Sequence, residues 1–178
     1  FTGVFTIDVL AADAVDKMKY WLDQGFAGMR LFTTGSTMPG QATWFDQPAT
    51  YPSWEYAGKV GIPVCMQVTP AAFPQMKGLM TRFPQVNFIL DHLAKPDITD
   101  GPPYAAAQPL FDLAVHKNLY LKVTPRNTMP ETWGKATPET FFKKLIATFG
   151  AGRLAWGSNF PANKGPLSNL LAKSKESL

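Results

Sequence analysis

The pair Asp91-His92, at the end of the apolar run Val86-Asn-Phe-Ile-Leu90, is the part of this chain best equipped for chemistry. Carboxylate and imidazole are groups that move protons, hold a metal or polarise a carbonyl near neutral pH. A polar loop containing proline, Leu93-Ala-Lys-Pro-Asp97, follows. α/β enzymes commonly present catalytic groups where a parallel strand stops at ionisable side chains, because the strand's carboxyl end opens into the site. The 178-residue chain has only 2 histidines, so the placement of one here carries weight.

Positioning such a pair needs a sheet, and the sequence predicts one. Six strand-then-helix units follow one another. The first strand is read as Gly3 to Asp8, with Asp13 as N-cap of a helix that Gly25 ends. The second covers Ala27 to Phe32, and a loop through Gly35, Pro39 and Trp44 leads to a helix around Trp54 to Val60. The third is Ile62 to Thr69, before a helix carrying Phe73, Met76, Leu79, Met80 and Phe83. The fourth is Val86 to Asp91, with a helix from about Pro109 to His116. The fifth is Leu119 to Thr124; Thr137-Pro138 then reads as N-cap and first residue of a helix closed by Gly150. The sixth is Arg153 to Ser158, and a short helix follows Gly165. Alternating β and α units imply a parallel sheet flanked by helices, with function at the long strand-to-helix loops. The expected fold class is α/β, a (β/α)8 barrel present incompletely, since eight units need about 250 residues. The reading is of one domain over residues 1–178, truncated at its N-terminus and open to truncation at its C-terminus.

Alternate residues of a strand face opposite sides. Apolar Met29 and Leu31, Val64, Met66 and Val68, and Leu119, Leu121 and Val123 are expected to face helices. The opposite parity gathers Asp8, Arg30, Gln67, Lys122 and Asn159, with His92, near the strand ends. Charges are not left in a barrel interior without compensation, so this set either pairs with itself or meets a substrate. Asp91 has the other parity and reads as the anchor of a loop or helix N-terminus. His116 reads as a helix-end cap, favoured there by the helix dipole. Lys95, Asp97 and Arg126 on the long loops are solvated charges with anion binding as their second reading; Trp44 and Trp54 are either pocket wall or core.

Composition narrows the function classes. With 46% apolar residues and 13% aromatics, the chain is an ordinary globular one. Its net charge of +4 is scattered, which argues against nucleic-acid binding and fits an anionic small molecule. No apolar run reaches membrane-spanning length, and the expected compartment is the cytoplasm. The single Cys65 excludes an internal disulfide and reads as a buried thiol. Glycine-rich phosphate loops, serine nucleophile elbows and paired cysteine motifs are absent. Sheet edges left open by an incomplete barrel point to self-association as a homo-oligomer.

Four segments carry a resemblance: Gly25-Phe-Ala-Gly-Met-Arg-Leu31, Asp91-His-Leu-Ala-Lys-Pro96, Leu119-Tyr-Leu-Lys-Val123 and Trp156-Gly-Ser-Asn-Phe-Pro161. In this order and spacing they resemble the amidohydrolase-2 family of TIM-barrel hydrolases, which includes lactonases acting on sugar lactones and pyrone dicarboxylates. The resemblance implies a hydrolase opening a lactone or cyclic amide of a small anionic substrate. It implies that His92 is a metal ligand, or a substrate-polarising group in metal-free members, and that one divalent metal, zinc or manganese, serves the site. Asn159 stands where the family pattern has an aspartate, and an amide cannot accept a proton at neutral pH. It is therefore expected to orient water or substrate as a second catalytic residue beside His92. Asp8, Arg30, Gln67, Lys122 and Arg126 are the expected substrate-binding residues. Two alternatives are a metal-dependent decarboxylase on the same barrel and a catalytically inactive binding protein.

Overall fold

The computed structural model describes residues 2–35 and 40–177. They form two compact units, Phe1–Leu90 with His116–Leu119 and Asp91–Val115 with Tyr120–Leu178. Pro39, read as part of the loop after the second expected strand, lies outside the described residues.

The first unit holds α1 (Ala14–Asp23), β1 (Met29–Phe32), α2 (Tyr51–Val60), β2 (Val64–Gln67), α3 (Phe73–Arg82) and most of β3 (Phe88–Asp91). β1 pairs with β2 and β2 with β3, all parallel. Their register sets Met29 opposite Val64 and Val64 opposite Phe88, then Leu31 opposite Met66 and Met66 opposite Leu90. These two rows are sealed from solvent, which is the parity expected of Met29, Leu31, Val64 and Met66. Trp54 of α2 covers the first row: it stacks on Phe88 at 5.4 Å between centroids. Its indole N–H donates to Phe45 O and Thr50 Oγ1, so the largest core side chain buries no unpaired donor. Trp54 is therefore core, whereas Trp44 is half-buried and meets Phe45 edge-on.

The expected first strand, Gly3 to Asp8, is corrected to a single bridge in which Phe5 pairs parallel with Met29. Phe5 donates to Gly28 O at 2.9 Å and accepts from Arg30 N–H at 2.8 Å. Beyond it the chain turns: Asp8 Oδ1 accepts from Leu10 N–H at 2.9 Å, and this side-chain turn competes with extension. Asp13 does stand before α1, but its carboxylate pairs with Lys17 at 2.8 Å and makes no cap hydrogen bond.

The second unit holds α4 (Gln108–Phe111), β4 (Leu119–Val123) apart from its first residue, α5 (Pro125–Thr128), α6 (Pro138–Phe149), β5 (Leu154–Trp156) and α7 (Leu167–Glu176). β4 and β5 are parallel, Lys122 opposite Ala155 and Val123 opposite Trp156. Leu121 and Val123 are buried while Tyr120 is exposed and Lys122 half-buried, so the parity of the fifth expected strand holds. Thr137 caps α6 by accepting from Thr140 N–H, Pro138 follows, and Gly150 at φ 82° stops the helix. Tyr104, Phe141 and Phe142 form an edge-to-face aromatic cluster, and Tyr104 Oη bonds Thr140 Oγ1 at 2.6 Å. The helix expected from Pro109 to His116 is short: α4 passes into a 3₁₀ turn over Asp112–Val115. α5 was not expected. Among the described residues no helix is long and apolar enough to cross a membrane.

Candidate functional site

In the second unit the chemistry gathers where β3 and β4 end. Asp91 is 1% exposed, and its Oδ1 lies 2.5 Å from Lys122 Nζ. Lys122 reaches it by running past Gly157, where an added Cβ would meet the lysine Cδ at 3.3 Å. Lys122 is expected to bind substrate and Asp91 to anchor a loop; here the ammonium lies against a buried carboxylate and compensates its charge.

His92 follows at 6% exposure, and the strand direction is lost at this residue. His92, Leu93, Ala94 and Lys95 all have φ near +55°, a left-handed turn built without glycine. Left-handed backbone is costly for L-residues with a Cβ, so something must hold the turn. Asn127 does so from the first turn of α5: its Nδ2 donates to His92 O at 3.0 Å. Its Oδ1 accepts from Thr124 N–H at 3.0 Å, one arm of a capping box between Thr124 and Asn127, and Pro125 occupies the position after the cap. Thr124 Oγ1 in turn lies 2.9 Å from His92 Nδ1. Thr124 and Asn127 are both buried.

Asn159 also sits at positive φ, 53°, a conformation asparagine tolerates better than most residues. Its Nδ2 donates to Asn163 Oδ1 at 2.6 Å, and Asn163 N–H returns a bond to Asn159 O at 3.0 Å. The amide is thereby oriented but remains half-buried. A cleft of about 570 Å³ in this unit is lined by Lys95, Asp97, Arg126, Asn127, Glu131 and Asn163, among others. It is thus walled by the two residues that hold His92 O and Asn159 Nδ2, and it carries two cations, Lys95 and Arg126. Asp97, whose carboxyl is held below its ordinary range by hydrogen bonds from Thr99 N–H and Oγ1, is one of its two acids.

The first unit contains a separate polar group at the ends of β1 and β2. Arg30 Nη2 donates to Gln67 Oε1 at 3.0 Å, and Arg30 stacks on Phe32 at 4.5 Å. Gln67 Nε2 donates to Thr34 O at 2.9 Å. Gln41 joins the strand ends too, donating to Thr33 Oγ1 at 2.6 Å and accepting from Thr69 N–H at 2.7 Å. Asp8 stays exposed in its own turn. Arg30 and Gln67 were thus brought together as expected of neighbouring inward positions. Gln41 and Asn127 are polar partners that the sequence reading does not name, and Thr124 enters it as the inward-facing end of the fifth strand.

His116 follows the 3₁₀ turn and is half-buried. Burial, aided by the Lys77 charge, holds its pKa below 6.5, so folding favours the neutral ring. Below pH 6.5 the unfolded chain then binds more protons than the folded one, and stability falls as pH drops. Urea unfolding against pH should show that slope, and His116→Gln should flatten it; a variant with an unchanged profile would refute the assignment.

Among the described residues no three His, Cys, Asp or Glu side chains converge as a bound metal needs. The residues in hand thus do not fit a metal centre by themselves, His92 being one ligand at most, and no step is derived through a metal.

A family model described as amidohydrolase matches residues 1–169. The L-fucono-1,5-lactonase of Burkholderia ambifaria is 28% identical over 128 residues, 68% of this chain and 42% of the lactonase. A zinc-bound amidohydrolase structure from Burkholderia multivorans superposes with TM-score 0.77 at 15% identity, covering 99% of this chain and 65% of that one. A candidate 2-pyrone-4,6-dicarboxylic acid hydrolase from Pseudomonas putida does so with TM-score 0.72 at 20% identity, over 99% and 64%. The chain thus spans about two fifths of the lactonase and under two thirds of these structures. The fold is an α/β barrel of the (β/α)8 type, present incompletely.

Proposed function

Because the chain belongs to the amidohydrolase family, we propose that it takes part in hydrolysis of a cyclic ester, a lactone of a small anionic acid. The observation that carries this reading is buried His92 at the end of β3, held by Thr124 and by Asn127, which itself lines a cleft bearing Lys95 and Arg126. Similarity to a lactonase supports the choice of lactone over amide.

In this reading His92 takes a proton from water as the water oxygen bonds the carbonyl carbon. The ring C–O bond then breaks, and the leaving alkoxide recovers a proton from the imidazolium, giving the hydroxy acid. Lys95 and Arg126 hold the substrate carboxylate, and Asn159 orients water or substrate through its amide. Arg30, braced by Gln67 in the first unit, is proposed as an anion-binding cation in its own right. Lys122 is assigned to Asp91 rather than to substrate, and Asp8 to its turn. A divalent metal, as in the zinc-bound relative, is the competing reading of His92, because a ring that gave its lone pair to a cation could not also take the proton from water.

The test is hydrolysis of a panel of sugar-acid lactones and a pyrone dicarboxylate by the full-length protein. His92→Ala should lower kcat/KM by roughly 100- to 10,000-fold, the usual contribution of a positioned proton carrier. Undiminished turnover would refute the assignment of His92. Release of carbon dioxide without ring opening would establish the decarboxylase alternative, and no turnover of any substrate the inactive binding protein.

A further inference from the structure

We infer that Thr124 and Asn127 lock His92 in the tautomer protonated on Nδ1, which makes Nε2 the acceptor nitrogen of the site. This rests on the reading of His92 as the reacting histidine, and it assigns both partners as positioning residues.

The assignment follows from counting protons along the chain of contacts. Asn127 can donate to the carbonyl of His92 only through its NH₂ end, which the 3.0 Å contact places there. Its other end is then the oxygen, consistent with the 3.0 Å bond it accepts from Thr124 N–H. Thr124 Oγ1 lies 3.2 Å from that same oxygen, which has no hydrogen to give, so the hydroxyl donates. A hydroxyl has one hydrogen. With the hydroxyl hydrogen placed on Asn127 Oδ1, Thr124 Oγ1 meets His92 Nδ1 at 2.9 Å as an acceptor, which puts the ring proton on Nδ1. A neutral imidazole has a single N–H, so Nε2 presents its lone pair.

Burial makes the lock effective. Thr124 is 0% exposed, and His92 and Asn127 are each 6% exposed, so water does not readily replace any link. The helix start adds rigidity, because Pro125 fixes the backbone immediately after Thr124 and the capping box ties Asn127 to it. Such a ring can accept a proton from water or bind a cation through Nε2. While neutral it cannot donate a hydrogen bond from that atom, so it cannot polarise a carbonyl in that state.

The chain's 2 histidines make the test direct. With ¹⁵N-labelled histidine at about pH 8, where imidazole is neutral, long-range ¹⁵N–¹H correlation spectra distinguish the two tautomers. The His116→Gln variant assigns the His92 signals. The expected spectrum shows a protonated Nδ1 and an unprotonated Nε2. Thr124→Val should shift the ring toward the Nε2–H form, and Thr124→Ser should restore it. In the full-length protein Thr124→Val should lower kcat about 10- to 100-fold with KM little changed, as loss of such a second partner does, and serine should recover it. An Nε2–H ring in the unmodified chain, or a tautomer indifferent to Thr124→Val, would overturn the inference. If the valine variant does not fold, the unmodified spectrum alone decides. Should His92→Ala leave lactone hydrolysis intact while the Nδ1–H tautomer is observed, the functional reading falls and the tautomer assignment stands.

Discussion

Lys122→Met is expected to lower the unfolding free energy by about 3 kcal/mol, and Asp91→Asn in the same chain to restore most of it. The Asp91 carboxylate is fully removed from solvent, whereas the Lys122 side chain keeps 27% of its exposure. Removing the lysine leaves a buried negative charge without the ammonium at 2.5 Å. Breaking such a pair from one side costs about 3–5 kcal/mol when both groups are buried, and the partial exposure of Lys122 puts this one at the lower end. Methionine keeps much of the aliphatic stem that packs along Gly157, so the loss reports charge rather than volume. Asparagine at 91 removes the charge that needed a partner, so the double variant should lie well above the additive sum. Urea unfolding of the four members of this cycle gives the coupling energy directly. A coupling below about 0.5 kcal/mol, the noise of additivity between independent sites, would mean that Lys122 does not stabilise Asp91. Lys122 would then return to the substrate-binding role expected of an inward position.

The strands were readable because helices cover only one of their faces. Met29, Leu31, Val64, Met66, Leu121 and Val123 are buried, while Arg30, Cys65, Gln67 and Lys122 alternate with them at half-exposure. Period-2 alternation therefore survived in the sequence, and with it the identity of most polar candidates. It failed where the backbone stopped being extended. Parity counted from Phe88 was carried through to His92, but the φ of +55° at His92 ends that count. Nothing in His92-Leu-Ala-Lys95 announces a left-handed turn, because it contains neither glycine nor asparagine. The turn is imposed from elsewhere in the chain by Asn127, which a local reading cannot see. α5 was more accessible. Thr124-Pro125 has the same N-cap and proline signal as Thr137-Pro138, with a polar residue at the third helical position in both. Reading Thr124 as the last residue of the preceding strand hides it, and with it the Asn127 link to His92. Asp8 shows the converse error: alternation placed it inside, but a carboxylate able to bond Leu10 N–H two residues on favours a turn.

Asn127→Ala should disrupt the site as much as Lys122→Met does, lowering stability by about 3 kcal/mol and loosening the His92–Lys95 turn before the rest of the second unit. Four L-residues in left-handed conformation carry roughly 1–2 kcal/mol each, so the turn stores a cost of about 4–8 kcal/mol that its surroundings must offset. Leu93 and Ala94 offset part by complete burial, at 0% and 1% exposure, and Lys95 N–H bonds His92 O at 2.9 Å within the turn. The remaining restraint is Asn127, whose amide makes one bond to His92 O and receives bonds from Thr124 N–H and Oγ1. Alanine removes all three and leaves the buried Thr124 N–H without its acceptor, a defect worth about 1–3 kcal/mol on its own. Amide hydrogen exchange should report the effect locally, with protection at Lys95 falling further than in the aromatic cluster of Tyr104, Phe141 and Phe142. Ala94→Gly provides the complementary arm, since glycine adopts φ 56° without the Cβ penalty. In the Asn127→Ala background it should recover about 1 kcal/mol and part of the lost protection. If Asn127→Ala lowers stability without a preferential loss at Lys95, Asn127 acts only as a helix cap. The turn that presents His92 would then have to be held by the burial of Leu93 and Ala94 alone.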